Sequence, residues 1–329
     1  MSVRSIDRHQ VAALVADAVM APSMHNAQPW RFRYACGEAV FRLYADPQRR
    51  IPHSDPSDRG LHIGCGTALL NLRVALAHAG WAADTELLPE PGDPGLLATV
   101  RPVPDRPPDD GLAGLHPAIR SRHTSRHPFA DLEVPRTVRD ELGDAARQEG
   151  VRLEFVSAQH LETVLTLIRD AETYTFMDAG RDADTSRWTR FGDEAGAAED
   201  GVPDYAFGPR RRGGRAPVRD LAGRRVLAGQ DVADFEETPH LVLLSTSGDR
   251  PVDWLRTGQA VERVLLVATV HGLRASFATQ ALEWPDLRWA LRDPVTGTGH
   301  VQLVLRFGYG APGPATPRRA VHEVLDIQP

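Results

Sequence analysis

The chain has 329 residues, 42% of them apolar, and a formal net charge of −6; these values suggest two domains with a large core and exclude a general attraction to nucleic acid. All 38 basic residues are arginine, so a Schiff-base lysine and the lysine of a phosphate-binding loop are both excluded. No unbroken apolar run is long enough to cross a bilayer and the N-terminus lacks a secretion signal, so we expect a cytoplasmic protein whose Cys36 and Cys65 are reduced.

Helical and strand-like patterns alternate along the chain, which predicts an α+β or α/β fold. Periodicity typical of helices occurs at Arg8–Met20, Leu61–Ala79, Pro135–Gln148, Leu161–Met177, Trp254–His271 and Pro285–Leu291. Patterns typical of strands occur at Arg31–Tyr34, Val40–Tyr44, Leu97–Val103, Val151–Val156, His240–Ser245, Leu273–Thr279 and Val301–Phe307. The proline-rich segment Arg101–Gly111 is typical of a surface loop. We therefore divide the chain there, into residues 1–110 and residues 111–329.

Two of the predicted helices resemble each other in sequence. Gly66–Trp81 reads GTALLNLRVALAHAGW and Gly258–Leu273 reads GQAVERVLLVATVHGL, with glycine, alanine and a late glycine at matching places. Each is apolar on most of its surface, which is typical of a buried helix, and each ends in a glycine suited to a left-handed cap. A strand, a proline-containing break and a further strand follow both. We interpret the halves as two diverged copies of one unit.

The two copies carry different polar motifs. In the first half, APSMHNAQPW (residues 21–30) joins a predicted helix to a predicted strand, and its two prolines stiffen a run of short polar side chains. The second half opens with RSRHTSRHPF (residues 120–129), whose arginines could hold a phosphate in a chain without lysine. Neither half has a counterpart of the other's motif. The plainer interpretation of residues 21–30 is a loop that caps the preceding helix. The plainer interpretation of residues 120–129 is a solvated basic segment.

Together these segments resemble a known flavoprotein family. APSMHNAQPW resembles the P-S-x-x-N-x-Q-P-W segment of the FMN-dependent nitroreductase fold, and RHTSRHPF resembles its R-x-S-x-R-x-x-F element, with Thr124 in the serine position. More narrowly, HNAQPWRF, GCGTALLNLRVALAHAGW and ALEWPDLRWAL are similar to the Acg-type family of actinobacteria. The resemblance covers nearly the whole chain. It implies an α+β, nitroreductase-like fold with two diverged nitroreductase units in one chain, and FMN as the cofactor.

The resemblance also implies one FMN site per chain, between the halves. The residues that it places against the flavin and ribityl chain are Pro22, Ser23, Met24, His25, Asn26 and Gln28. The residues that it places at the phosphate are Arg122, Thr124, Arg126 and one or both of Arg318 and Arg319. The residues that it places near the flavin pyrimidine are Gln280, Ala281, Leu282 and Glu283. Glu283 could equally be a carboxylate at a helix N-terminus, before Pro285. No metal site is expected.

A long segment of residues 178–225, called the insert below, separates strand-like runs of the second half. It is locally basic, but interspersed acidic residues argue against nucleic-acid binding. Within it, TSRWTRFGDE (residues 185–194) predicts a short helix. The resemblance implies that the insert is a lid over the flavin.

Three functions remain open from the sequence. The first is an FMN oxidoreductase that passes hydride from NAD(P)H to a nitroaromatic or quinone-like acceptor; it needs no catalytic side chain, because the chemistry belongs to the flavin. The second is an FMN storage or sequestration protein, whose covered flavin turns over little. The third is a protein that has lost the flavin and acts through protein contacts. A monomer and a homodimer are both compatible with the sequence.

Overall fold

The computed structural model describes residues 6–223, 225, 227, 229–292, 297 and 299–329; Arg224, within the insert, lies outside the described residues. The helices are α1 (Arg8–Ala18), α2 (Arg59–His78), α3 (Asp110–Ala113), α4 (His116–Ile119), α5 (Arg136–Gln148), α6 (Ala158–Met177), α7 (Ala179–Arg187), α8 (Asp193–Ala197), α9 (Pro251–Val270), α10 (Pro285–Ala290) and α11 (Val321–Val324). The strands are β1 (Trp30–Ala35), β2 (Val40–Ala45), β3 (Ala82–Leu87), β4 (Leu96–Val103), β5 (Arg152–Phe155), β6 (Thr189–Arg190), β7 (Val202–Pro203), β8 (Arg210–Gly213), β9 (Val232–Asp234), β10 (His240–Thr246), β11 (Arg274–Phe277), β12 (His300–Gly308) and β13 (Leu325–Gln328).

The two main β-sheets repeat one topology, in an α+β fold. The first sheet has the order β13-β1-β2-β4-β3 and the second has the order β11-β12-β10-β5. The first unit has its strands side by side in the order β1, β2, β4, β3, and the second unit has them in the order β5, β10, β12, β11. Counted along the chain among the strands of each of these sheets, both orders are first, second, fourth and third. In each unit a helix precedes the first strand (α1 or α5), and the long helix α2 or α9 follows the second strand. The repeat inferred from the two long helices is therefore present in the topology.

The helices α2 and α9 pack against each other at the two glycines that the sequence comparison aligned. A Cβ atom on Gly66 would collide with the carbonyl oxygen of Leu255 and lie 2.9 Å from the Cα of Gly258. A Cβ atom on Gly258 would collide with the carbonyl oxygen of Ile63 and lie 2.7 Å from the Cα of Gly66. The crossing therefore requires glycine on both helices, because the backbones approach too closely for any side chain.

The helix α2 is long and apolar enough, by length and composition, to cross a membrane, which differs from the expectation based on unbroken apolar runs. Within its most apolar window, however, 83% of the residues are buried inside the protein. Burial of this extent is typical of a central core helix, because a helix that is apolar all round needs neighbours on every side.

The C-terminal segment returns to the first half, which corrects the predicted boundary. Strand β13 pairs in parallel with β1, with Leu325 opposite Phe32, and Leu325 and Ile327 pack against the core of the first unit. The sequence division assigned this segment to residues 111–329. Pairing with β13 satisfies the outer backbone groups of β1, which would otherwise be an exposed sheet edge. As a result, residues 311–320 lie beside the α1–β1 connection.

The prediction of a short helix at residues 185–194 is wrong. Helix α7 ends at Arg187 and the chain continues into β6, whose Thr189 pairs with Val202 of β7. Trp188, at the end of α7, is buried in a small core with Ala27 and Ile51 of the first half. This long-range packing outweighs the weak local helical pattern.

Candidate functional site

The connection between α1 and β1, residues 19–29, has an uncommon backbone conformation. His25, Asn26 and Gln28 have φ angles of 49°, 54° and 54°. This left-handed region is unfavourable for residues other than glycine, and it persists where surrounding contacts impose it. The contacts described below supply that constraint, and they explain why this connection contains polar side chains and prolines instead of a simple turn.

Gln28 holds the connection in place through hydrogen bonds to other segments. It does not line the cleft described below, although the resemblance implied a flavin contact. Its side chain is fully buried, and its backbone N–H donates to Ser23 Oγ at 2.9 Å. Its Nε2 donates to the carbonyl oxygen of Glu199 at 2.8 Å, and its Oε1 accepts from the backbone N–H of Arg319 at 2.9 Å. Gln28 therefore joins the first half to the insert and to the C-terminal segment.

Asn26 makes a similar three-way connection at the wall of the cleft. Its Nδ2 donates to the carbonyl oxygens of Gly201 (2.9 Å) and Pro317 (3.0 Å). Its Oδ1 accepts from Nη1 of Arg318 at 3.1 Å. Both N–H groups of this amide are therefore already bonded to protein. These hydrogen bonds hold the insert and Arg318 at the wall of the cleft, and the direct flavin contact that the resemblance implied for Asn26 stays a prediction.

Two arginines converge on the C-terminal end of α1. Arg318 Nε donates to the carbonyl oxygen of Val19 at 2.9 Å, and Arg318 Nη2 and Arg122 Nη2 each donate to that of Met20 at 3.1 Å. Arg122 also lies 3.3 Å from the fully buried carboxylate of Glu262. Burial and the neighbouring Arg122 lower the pKa of Arg318 to about 9, and burial raises the pKa of Glu262. Arg318 is thus cationic at pH 7, and both arginines are oriented by carbonyl groups and, for Arg122, by a carboxylate.

Arg319 points away from this cluster. Its backbone N–H donates to Gln28, and its guanidinium lies 3.6 Å from Asp46 on the far side of the α1–β1 connection. The sequence left Arg318 and Arg319 as equal candidates. The structure brings Arg318 to the cleft and engages Arg319 with the carboxylates of Asp46 and Glu323.

A third arginine and a histidine lie next to the insert. Arg126 Nη1 donates to the carbonyl oxygen of Ala206 at 2.7 Å, and His25 Nε2 lies 3.4 Å from Arg219. Burial, and then the charges of Arg219 and Arg126, lower the pKa of His25 to about 3. The imidazole of His25 is therefore neutral at physiological pH.

Glu283 is the carboxylate at the opposite wall. It is bound by Arg219 and lies 3.7 Å from Arg181, and burial raises its pKa. The preceding residues of its short 3-10 turn, which the resemblance also placed at the flavin, do not line the cleft. Those residues are Gln280, Ala281 and Leu282. Ala281 and Leu282 belong to the core beneath β10 and β12, because the turn directs these side chains inward and leaves Glu283 facing the cleft.

These groups line one cleft between the two halves. Its empty space, with the open mouth included, is about 1260 Å³. The predicted site residues that line it are Pro22, Ser23, Met24, His25, Asn26, Arg122, Thr124, Arg126, Glu283 and Arg318. Among the described residues, five arginines line it against two carboxylates, Asp55 and Glu283. The cleft therefore has a surplus of positive charge and suits an anionic ligand.

The remaining lining comes from apolar residues and from the insert. Ile63, Val261, Phe277 and Leu303 contribute apolar surface from α2, α9, β11 and β12. Val202, Arg219 and Leu221 contribute the insert side. An apolar wall with a few converging charged groups is typical of pockets that hold a small molecule.

Known proteins that are similar to this chain support a family assignment. A Mycobacterium tuberculosis protein (strain CDC 1551 / Oshkosh) named "Putative NAD(P)H nitroreductase acg" is 30% identical to it, over 97% of this chain and 96% of its own length. Another protein of that strain, described in the same words, is 32% identical over 99% of this chain and 94% of its own length. The chain belongs to the Acg-type nitroreductase family. A probable NAD(P)H nitroreductase of Serratia sp. (strain ATCC 39006), PigM, is 24% identical over 94% of this chain and 90% of its own length.

Two further comparisons add nothing to that assignment. No family model matches the chain. A solved structure of an FMN and NADPH-dependent nitroreductase, NfnB from Sphigopyxis sp. strain HMH, is 17% identical, with a TM-score of 0.39, over 65% of this chain and 99% of its own length. A likeness at this level shows neither the fold nor the cofactor of this Acg-type chain.

In the described part of the second unit of this Acg-type protein, the segment that corresponds to the α1–β1 connection is much shorter. Only residues 149–151 connect α5 to β5, whereas residues 19–29 connect α1 to β1. At that end of α5, Glu149 binds Arg73 at 2.7 Å and Arg263 at 2.6 Å. A buried ion network therefore stands where the first unit has its polar connection, which favours one cleft per chain.

Several lining residues were not predicted from the sequence. Arg59 at the start of α2, Arg219 in the insert and Thr316 near the C-terminus all face the cleft. Arg59 follows Asp58 in a loop with no resemblance to a binding motif, and Arg219 is one of many arginines in the insert. The lack of lysine makes single arginines hard to distinguish. For Thr316, the only signal in the sequence is its position two residues before the candidate Arg318.

Proposed function

We propose that this Acg-type chain binds one FMN in the cleft between its halves. As a nitroreductase-like oxidoreductase, it would use NAD(P)H to reduce a small organic acceptor of the nitroaromatic or quinone type. The observation that carries this proposal is the cleft, in which an arginine-rich region and an apolar wall meet between two diverged units. The names of the relatives support the same class of reaction.

The positive region fits a phosphate. Arg122, Arg126 and Arg318 would hold it, with the hydroxyl groups of Thr124 and Thr316 as additional donors. A guanidinium has five N–H donors, and the described contacts of Arg122 and Arg126 to carbonyl groups leave several of them for a ligand. Charge-assisted hydrogen bonds of this kind are among the strongest that a protein makes with a phosphate. The residue types present therefore fit the anionic end of FMN.

The chemistry that FMN supplies when bound is two-electron transfer between a reduced nicotinamide and an organic acceptor. The chain's own residues bind, orient and enclose. Ile63, Val261, Phe277 and Leu303 provide an apolar surface for a planar ring, and Val202 and Leu221 of the insert limit the access of water. His25 is neutral and cannot supply a proton at pH 7, because its pKa is about 3. No side chain is therefore assigned as a general acid.

Anaerobic titration of the purified protein with NADPH tests this proposal, with flavin absorbance as the signal. We expect one equivalent of NADPH to bleach one bound flavin, and a quinone to restore the absorbance. A bound flavin that dithionite reduces and NADPH does not would contradict the oxidoreductase proposal and favour FMN storage. A protein that neither retains nor takes up flavin would contradict both.

A further inference from the structure

The cleft contains two different electrostatic environments. Burial has the largest influence on the pKa of Arg318, followed by the charges of Arg122 and Glu262. Arg59, at the start of α2, lines the cleft among a different set of charged groups. These groups are Arg288, Asp55, Asp249 and Glu283. A ligand whose phosphate binds at Arg318 would therefore approach Arg59 with another part.

Arg59 lies at the edge of the apolar wall of the cleft. Ile63, which contributes to that wall, follows Arg59 by four residues, so both side chains leave the same face of α2. Nη1 of Arg59 donates to the carbonyl oxygen of Gln302 at 2.5 Å, and the next residue of β12, Leu303, also belongs to the wall. The proposed function assigns this wall to the flavin ring, which would place Arg59 beside the ring.

Arg59 is a buried cation without a carboxylate partner. Its relative exposure is 9%. Burial, and then the charge of Arg288, lower its pKa to about 10, so the guanidinium is charged at pH 7. Within the described part of the chain it forms no ion pair, and its side-chain hydrogen bonds run only from Nη1 to Gln302. A positive charge and several N–H donors are therefore left for a ligand.

The carboxylates near Arg59 already have partners. Asp55 accepts two backbone N–H groups at the start of α2, both at 2.9 Å, where the helix dipole is positive. Burial also raises the pKa of Asp55 and that of Glu283. Arginines engage the other two carboxylates, in the pairs Glu283 with Arg219 and Asp249 with Arg288. Among the described groups in this part of the cleft, the charge of Arg59 is the one left unbalanced.

We propose that Arg59 is a flavin-binding residue that favours the reduced state of the cofactor. Two electrons and one proton convert oxidised FMN into a form with one negative charge on the ring, and a second proton leaves the ring neutral. A buried cation beside the ring stabilises the charged form, because opposite charges interact strongly where water is excluded. The protein should therefore hold reduced FMN as the anion. The inference rests on the proposed function only for the presence of FMN in the cleft, and it holds for any two-electron donor.

Reduction of the FMN-loaded protein by dithionite tests the inference without a nicotinamide. Absorbance distinguishes the anionic from the neutral form of reduced flavin. In the wild type we expect the anion to persist down to a pH at which reduced FMN in free solution, measured in parallel, has become neutral. Uptake of the second proton at the same pH as free reduced FMN would overturn the inference. This measurement needs no variant, so it decides even where a substitution of Arg59 prevents folding.

Substitutions of Arg59 separate its charge from its packing. Arg59→Gln should raise the Kd for reduced FMN at least tenfold more than the Kd for oxidised FMN, which lowers the two-electron midpoint potential by about 30 mV or more. Arg59→Lys keeps the charge and should recover most of this difference. Equilibration with redox dyes measures the potential. Arg136→Ala removes an arginine whose side chain is 93% exposed on α5, and it serves as the matched control with no expected change.

The outcomes distinguish this inference from the proposed function. An unchanged potential in Arg59→Gln would overturn the inference, and an equal fall in Arg59→Gln and Arg59→Lys would assign Arg59 a structural role instead. Reduction of the flavin by NADPH together with an unchanged potential in Arg59→Gln would overturn only the inference. A flavin that NADPH never reduces, but that dithionite converts to the anion in the wild type and to the neutral form in Arg59→Gln, would support the inference and contradict the oxidoreductase proposal.

Discussion

Replacement of Arg122 by alanine should harm the protein in two separable ways. Arg122 is buried, lies 3.3 Å from the carboxylate of Glu262 and lines the cleft. Removal of one partner from a buried ion pair costs about 3–5 kcal/mol of folding free energy. Loss of a charge-assisted phosphate contact costs about 1.5–3 kcal/mol of FMN binding, which raises the Kd roughly ten- to a hundredfold.

The folding cost should depend on pH. Burial raises the pKa of Glu262 above its ordinary value, and loss of Arg122 raises it further because the nearest cation is gone. A folded-state pKa above the unfolded one means that the folded protein binds the proton more tightly. Stability is then fully present at low pH and is lost as the pH rises through the folded pKa. The deficit of Arg122→Ala in urea unfolding should thus be smaller at pH 5 than at pH 8.

A second substitution distinguishes the two effects. Addition of Glu262→Gln to Arg122→Ala removes the uncompensated charge, so most of the folding free energy should return while FMN remains weakly bound. Riboflavin, which lacks the phosphate, is the matched ligand, and its Kd should be nearly the same in the wild type and in Arg122→Ala. Flavin fluorescence measures both Kd values. Equal weakening of riboflavin and FMN, or full recovery of FMN affinity in the double variant, would refute the placement of the phosphate at Arg122.

Three further outcomes are expected. Gly66→Ala should lower the free energy of unfolding by about 1–3 kcal/mol, because the new Cβ collides with the Leu255 carbonyl oxygen. Gly143 has open space around it, so Gly143→Ala should raise the free energy of unfolding by about 1 kcal/mol. Equal effects of the two substitutions would argue against the close helix crossing. Wild-type stability should fall as the pH drops from about 6.5 towards 3, because the folded pKa of His25 is lowered to about 3, and His25→Asn, which tolerates the left-handed backbone, should reduce this dependence; an unchanged pH profile would contradict it. Arg219→Ala should raise the FMN dissociation rate about tenfold in stopped-flow measurements, since it detaches the insert from Glu283; an unchanged rate would mean that the insert does not retain the cofactor.

The repeated architecture could be predicted because its signals are local. The aligned glycines of α2 and α9 mark a helix crossing. Apolar residues recur on every turn of both helices, and this pattern indicates that the helices are buried. Strand β3 was missed because, after the buried Ala82, its residues alternate between partly buried and exposed positions, and its only large apolar residue is Leu87. Strand β13 was missed because its pairing with β1 joins the two ends of the chain, which no local pattern encodes.

The site was only partly predictable for the same reason. Residue types in the two motifs indicated the kind of ligand, but not which polar groups are consumed by the protein itself. Asn26 and Gln28 bind the insert and the C-terminal segment, which are distant in sequence. Arg318 faces the cleft and Arg319 faces Asp46, and this choice depends on the folded conformation of the backbone at these two residues. Arg219 becomes a site residue only because the insert folds across the cleft.

We propose that one cleft, built from both halves, holds one FMN. The most direct measurement is the identity and amount of flavin released on denaturation from protein saturated with FMN and freed of excess, in the wild type and in Arg122→Ala with Glu262→Gln. We predict one non-covalent FMN per wild-type chain, and a much lower content in the double variant after the same washing. Two flavins per wild-type chain, or an undiminished FMN content in the double variant, would contradict it.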